Sequence, residues 1–280
     1  MPREAAPSSN RIGYRLVTKA DYTLANVSSL EHRLKYRSIF ISDIHLGTKF
    51  SQTPRLLEFL KDHESDNLYL VGDIIDGWAI KRRFNWPQTH SDVIQKILRK
   101  ARKGTKVHFI TGNHDEFLRP FIPILMGENL IISNEAEYEA LSGKRYYVVH
   151  GDYFDSVTMT KKWLAILGDY GYDFLLHMNA FLHFVRKQFG IKRYWSLSKY
   201  VKDNVKKSVS FITDFETILA EYAHQKSYDG IICGHIHKAE IRPIDGIDYF
   251  NCGDWVESCT ALVETMEGEW KIIDMTVHPV

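Results

Sequence analysis

Five short apolar runs, each broken off by a cluster of Gly, Asp, Asn or His, constrain this chain more than any other feature. Residues 37–41 lead into Ser42-Asp43-Ile44-His45, residues 67–71 into Gly72-Asp73, and residues 106–110 into Gly112-Asn113-His114-Asp115. Residues 146–149 lead into His150-Gly151-Asp152, and residues 229–233 into Gly234-His235-Ile236-His237. Short apolar runs bounded by glycine read as buried strands. Between the first of them lie two helical patterns, residues 53–63 and 91–103. In the second, Val93, Ile94, Ile97, Leu98 and Ala101 form one apolar face. Strand, helix, strand repetition predicts an α/β fold with at least partly parallel sheets. Every polar cluster then sits at the carboxyl end of a strand, where α/β sheets bind ligands.

The remainder divides by composition. Residues 1–33 are polar and weakly patterned, a tail or short leading element ahead of one domain over residues 34–280. Within that domain, about residues 158–225 carry no strand pattern and read as a helical lid insertion over the strand ends. The insertion is rich in aromatic and basic residues, and Lys199, Lys202 and Lys206 fall at helical spacing. Residues 249–252, 260–263 and 271–275 read as closing antiparallel strands.

Net charge is +1, which argues against a generic nucleic-acid coat. Cys233, Cys252 and Cys259 are too few for a disulfide framework and suggest buried thiols in a reducing compartment. No secretory signal is evident at the N-terminus, and no stretch reaches the roughly 18–20 apolar residues of a membrane span. The expectation is a soluble cytoplasmic protein whose membrane contact, if any, is peripheral.

Taken together, Asp43, His45, Asp73, Asn113, His114, His150, His235 and His237 are enough ligands for two metal ions that share Asp73. On an extended segment, Asp43-x-His45 and His235-x-His237 would each place two side chains on one face. Asp73 could bridge with two oxygens, Asn113 offers a neutral amide oxygen, and His150 another nitrogen. Two ions about 3.5–4 Å apart can clamp a phosphate and lower the pKa of a bridging water. Each piece alone is weak, since Gly-Asp after a strand is ordinary turn chemistry. The full set in this order is specific.

These five segments resemble the motifs of the calcineurin-like metallophosphoesterases, over a span from about Ile39 to the C-terminus. The resemblance implies a β-sandwich of two mixed sheets flanked by helices. It implies one metal held by Asp43, His45, Asp73 and His237, and a second by Asp73, Asn113, His150 and His235. His114 would lie beside the metals, contacting phosphate or protonating the leaving oxygen, with Asp115 orienting it. The ligand set suits manganese, iron or zinc, with manganese favoured.

Within that superfamily the chain is most similar to the UDP-2,3-diacylglucosamine pyrophosphatases of bacterial lipid A synthesis. Gly72-Asp73-Ile74-Ile75-Asp76-Gly77-Trp78 and Gly253-Asp254-Trp255 resemble segments of those enzymes. Asn204, Lys207 and Ser208 stand where they carry an Asn and a Lys-Ser in their lid, and Lys199 joins them as a candidate substrate contact. The resemblance implies water attack on a diphosphate to give UMP and lipid X, at the cytoplasmic face of the inner membrane. Two departures stand out: His114 replaces their Arg, and residues 153–159 keep only Asp155 of their run of acids. The alternatives are a paralogue acting on another nucleotide diphosphate or phosphodiester, a nuclease, and a non-catalytic scaffold. The scaffold reading predicts missing ligands, and none is missing. Oligomeric state and acyl-chain preference are not encoded in any motif.

Overall fold

The computed structural model describes residues 34–155, 212 and 215–276. The chain divides into two units, Met1–Leu34 and Lys35–Val280, and apart from Leu34 every described residue belongs to the second. The leading segment over residues 1–33 and most of the insertion over 158–225 lie outside the described residues.

Twelve strands in the described residues form two sheets. The seven-stranded sheet has the order β12-β11-β1-β2-β3-β5-β4, with β1 Leu34–Ile41, β2 His63–Val71, β3 Lys106–Ile110, β4 Ile124–Met126, β5 Leu130–Ser133, β11 Thr260–Thr265 and β12 Trp270–Asp274. The five-stranded sheet has the order β6-β7-β8-β10-β9, with β6 Glu135–Glu139, β7 Arg145–Val149, β8 Gly230–Cys233, β9 Glu240–Ile244 and β10 Ile247–Asn251. Both are mixed: β2 and β3, β3 and β5, β7 and β8, and β8 and β10 run parallel, while β11 is antiparallel to β1 and to β12. Of the three expected closing strands, β11 and β12 are antiparallel throughout. β10 is antiparallel to β9 but parallel to β8.

Alternation along the strands builds the layers. In β1, Ile39 and Ile41 face one apolar cluster, while Phe40 between them faces another. The first cluster packs the seven-stranded sheet against α1 (Thr53–Asp62) and α3 (Gln88–Arg102), through Leu56, Phe59, Leu60, Val93 and Ile97. The second fills the space between the sheets with Phe40, Tyr69, Val71, Ile110, Tyr146, Val148, Ile232 and Phe250. A third lies under α4 (residues 215–225), where Phe215, Leu219, Ala220 and Ala223 cover Tyr147, Val149, Ile231 and Tyr249. The result is helix, sheet, sheet, helix, with the central strands of both sheets buried on two faces and the outer strands partly open. A six-residue helix, α2 (Gly77–Arg82), is capped by the Asp76 side chain, which accepts from the Ala79 N–H.

Candidate metal centre

The polar clusters do meet at the strand ends, but not by strand alternation. Asp43, His45, Asp73, His235 and His237 all have left-handed backbone, with φ of 53°, 52°, 54°, 71° and 55°. The expectation of extended Asp-x-His and His-x-His segments is therefore corrected: a left-handed residue turns the chain at each site and aims both side chains inward. Such conformations are uncommon outside glycine, and Asp and His tolerate them better than most residues. Neighbouring backbone holds the turns. Asp43 N–H donates to Gly72 O at 3.0 Å, His45 N–H to Asp73 O at 2.9 Å, and His235 N–H to the Asp43 carboxylate at 3.0 Å. Gly112 permits a close approach to the site, since a Cβ there would stand 2.1 Å from Asp73 Oδ1.

Three groups of side chains bring ligand atoms within 4.8 Å of one another: Asp43, His45 and His237; His45, Asp73 and His114; Asp73, His150 and His235. Asp73 Oδ2 lies 3.3 Å from His150 Nε2 and 3.9 Å from both His45 Nε2 and His114 Nε2. His237 Nε2 is 3.1 Å from Asp43 Oδ1. His150 is fixed from behind by Nδ1, 3.0 Å from Val71 O, so its tautomer leaves Nε2 for the site. Asn113 sits between Gly112 and His114, whose N–H donates to Asp73 Oδ1 at 2.9 Å.

Burial alone would raise the Asp73 carboxyl, but the imidazoles of His150, His114 and His45 outweigh it and hold it well below the usual range. Burial would likewise lower the His150 imidazole, yet the Asp73 and Asp43 carboxylates push it up to about 10. A cation between them would displace that proton. The buried atoms Asp43 Oδ1, His45 Nε2, Asn113 Oδ1 and His150 Nε2 have no well-formed hydrogen bond. Buried polar atoms are rarely left so. Their convergence, with mixed carboxylate, amide and imidazole chemistry, fits divalent transition-metal ions.

Asp115 does not orient His114. Its carboxylate accepts the N–H groups of Ile74, Ile75 and Gly112 at 3.0, 2.8 and 3.3 Å, pinning the loop after β2 to the loop after β3. Burial pushes it up to about 7 despite those donors. The carboxylate beside His114 is instead Asp76, which the motif reading passed over and which hydrogen-bonds His45 and stands in ion-pair contact with His114. Its Oδ1 is 3.0 Å from His114 Nδ1 and its Oδ2 is 3.1 Å from His45 Nδ1. Burial opposes its ionisation, but the two imidazoles hold its carboxyl well down. Burial would also lower His114, and Asp76 and Asp73 raise it instead.

Trp78 packs on the other side of His114, with ring centroids 4.3 Å apart, and Asp155 Oδ2 is 2.9 Å from His235 Nε2. Arg119 spans the sheets: its Nη2 is 2.8 Å from Asp152 Oδ2, and its Nε reaches Thr111 Oγ1 at 3.4 Å. Asp76 and Trp78 belong to the same Gly72 to Trp78 segment as Asp73, and that closeness along the chain is the sequence signal for them. Arg119 gave none. The expected substrate contacts Lys199, Asn204, Lys207 and Ser208 lie outside the described residues.

A double-sheet sandwich with carboxylates and imidazoles converging at its strand ends is the frame of a metal-dependent phosphoesterase. The model of the calcineurin-like phosphoesterases matches residues 36–239, and the chain belongs to that family. It is similar to the UDP-2,3-diacylglucosamine hydrolase of Porphyromonas gingivalis, 29% identical over 126 residues that make up 42% of this chain and 47% of that protein. It is also similar to the protein of the same name from Haemophilus influenzae, 24% identical over 251 residues covering 84% and 98% of the two chains. The first matches, among them the Porphyromonas protein, span only about half the length of those relatives, 46% to 48%. Among solved structures, a phosphoesterase from E. coli aligns over 85% of this chain and 98% of its own at 15% identity, with a TM-score of 0.41.

Proposed function

We propose that this chain hydrolyses a phosphoanhydride or phosphoester at a pair of divalent cations, and that its substrate is a lipid-linked nucleotide diphosphate. The chemistry matches UDP-2,3-diacylglucosamine, which would give UMP and a lipid monophosphate. The observation that carries the reading is the central place of Asp73, whose carboxylate is within reach of His45 on one side and of His150 and His235 on the other. Asp43, His45, Asp73 and His237 would hold one ion, and Asp73, Asn113, His150 and His235 the other. The mixed carboxylate, amide and imidazole set accommodates manganese, iron or zinc, and manganese is the ion we choose to test. Bound there, two such ions supply positive charge to phosphoryl oxygens and make a water molecule more acidic.

The chain's own groups supply the rest. His114, raised by Asp76, holds a proton at its Nε2 and gives it to the leaving oxygen as the phosphorus–oxygen bond breaks. Trp78 covers one side of that imidazole and limits water there. Trp78, which lies against His114, is 49% exposed, and Phe84, Phe117 and Phe121 on nearby segments of the chain are also open. Lys81, Arg82 and Arg83 lie exposed immediately before Phe84, and among the described residues none has an acidic partner. Apolar rings beside exposed cations suit acyl chains and phosphates carried on one molecule. No helix among the described residues is long and apolar enough to cross a membrane. A peripheral position on the cytoplasmic face of the inner membrane is part of the same reading.

The test is metal analysis joined to product identification. Chelated protein should regain activity with manganese, bind two ions per chain, and release UMP from UDP-2,3-diacylglucosamine. Asp73→Ala should lose both ions. Saturation at one ion per chain would remove the two-metal reading. Hydrolysis of a nitrophenyl phosphodiester with no release of UMP would remove only the lipid nucleotide.

A further inference from the structure

Beside the ligand-bearing loops lies a cavity of about 600 Å³, and we propose that it seats the planar heterocyclic base of the substrate's nucleotide. The inference rests on the nucleotide-diphosphate reading and assigns it a subsite. Strand register fixes the cavity's place. Ser133 pairs with Ile110 in the parallel pair β3 and β5, so Ser133 and Asn134 emerge beside Thr111, two residues before Asn113. Thr111 Oγ1 donates to Asn134 Oδ1 at 2.7 Å. Across the cavity, Val149 ends β7 immediately before His150. The cavity is therefore at the same carboxyl ends as the metal ligands, where α/β sheets bind their substrates. Its size is that of a small-molecule site.

The lining selects the chemistry. Tyr147, Tyr153, Phe154 and Tyr222 supply aromatic surface. Phe154 and Tyr147 lie 5.0 and 5.4 Å from Tyr222, centroid to centroid, and Tyr153 is braced from outside by the Arg119 guanidinium 4.5 Å from its ring. Ser133, Asn134 and Glu135 add a hydroxyl, an amide and a carboxylate in succession. Glu135 accepts a bond from the Tyr147 hydroxyl, which holds its carboxylate beside the rings. A nucleobase is flat and carries N–H and C=O groups along one edge, so it matches both the rings and the polar succession. An acyl chain would strip water from the carboxylate and amide without replacing their hydrogen bonds. Among the described residues that line the cavity there is no Lys or Arg, so none of them offers a phosphate a cation. The pair Arg119 and Asp152 marks the border with the metal site, since Asp152 is two residues from His150 and beside Tyr153.

The experiment is calorimetric titration of the metal-loaded full chain with UMP, inorganic phosphate and a single-stranded oligonucleotide, repeated on Tyr153→Ala and Glu135→Gln. UMP should bind about ten-fold or more tightly than phosphate, the scale of one base stacked on an aromatic ring. Either substitution should remove most of that advantage and leave phosphate affinity within about two-fold. Glu135→Gln keeps an acceptor for Tyr147, so it remains informative if Tyr153→Ala fails to fold. Equal affinity for UMP and phosphate, or UMP affinity untouched by both substitutions, overturns the subsite. An oligonucleotide that binds more tightly than UMP and is lost in the same variants overturns it in favour of a nucleic-acid groove. Turnover separates the two levels of the reading. UMP bound through Tyr153 and Glu135, with no cleavage of UDP-2,3-diacylglucosamine, keeps the base subsite and discards the lipid. Cleavage with KM unchanged in both variants keeps the lipid nucleotide and discards the subsite.

Discussion

Asp76 holds two imidazoles at once, His45 through one oxygen and His114 through the other. The two contacts have separable consequences. His114→Ala should leave metal content intact and lower kcat by about 10²–10⁴, the usual contribution of a proton donor. The loss should shrink for a nitrophenolate leaving group, which needs little protonation. Asp76→Ala should show the same kinetic defect and also weaken metal binding by about 10–100-fold, because an outer carboxylate orients a ligating histidine. Metal titration of both variants checks this, and unchanged metal affinity in Asp76→Ala would reduce its role to His114 alone. At this scale the candidate ligands were legible because apolar runs stop abruptly at Asp, His and Asn beside glycine. The partnership of Asp76 was not. Asp115 follows His114 directly, but its side chain turns back to three backbone N–H groups, and only the folded loops reveal that.

α3 is tied to the loop after β1 by a neutral histidine. His90 is buried, and its Nδ1 accepts the Gly47 N–H at 3.0 Å, two residues beyond His45. Burial lowers its pKa below the ordinary value of 6.5. The unfolded chain therefore takes up this proton first as pH falls. The stability His90 contributes is complete above about pH 6.5 and is lost as pH drops through the lower folded value. His90→Gln, which can still accept from Gly47, should lose less stability between pH 7.5 and 5.5 than the unsubstituted protein. Urea unfolding at the two pH values measures the difference, and equal losses would exclude His90 as the titrating group. The long elements were readable: β3 runs from Lys106 to Ile110 as expected, and α1 and α3 begin and end within three residues of expectation. The unread ones have weak signals for physical reasons. β9 is an edge strand that contains Pro243, and β6 alternates glutamates with only Tyr138 fully buried. β4 is three residues long, and α2 is too short to show a period.

Across the whole sandwich, Arg119 joins the two sheets where the second set of candidate ligands straddles them. Its guanidinium reaches Thr111 after β3 and Asp152 after β7, which carry Asn113 and His150 respectively. Asp152 is largely buried, so losing its partner should destabilise the fold by about 1–3 kcal/mol. Arg119→Ala should also reduce affinity for one of two bound ions while the other, held mainly from the seven-stranded sheet, is spared. Stepwise metal titration reads this, and a uniform loss at both sites would assign Arg119 to general stability. The backbone of the site carries a different consequence. Five of the seven candidate ligands hold left-handed conformations, each costing about 1–3 kcal/mol for a residue with a side chain. Glycine would relieve that strain and could ligate nothing. A lineage released from the need for catalysis should therefore drift toward glycine at these positions and grow sturdier as it fell silent. A search for heat-tolerant variants that never assays turnover would be drawn the same way.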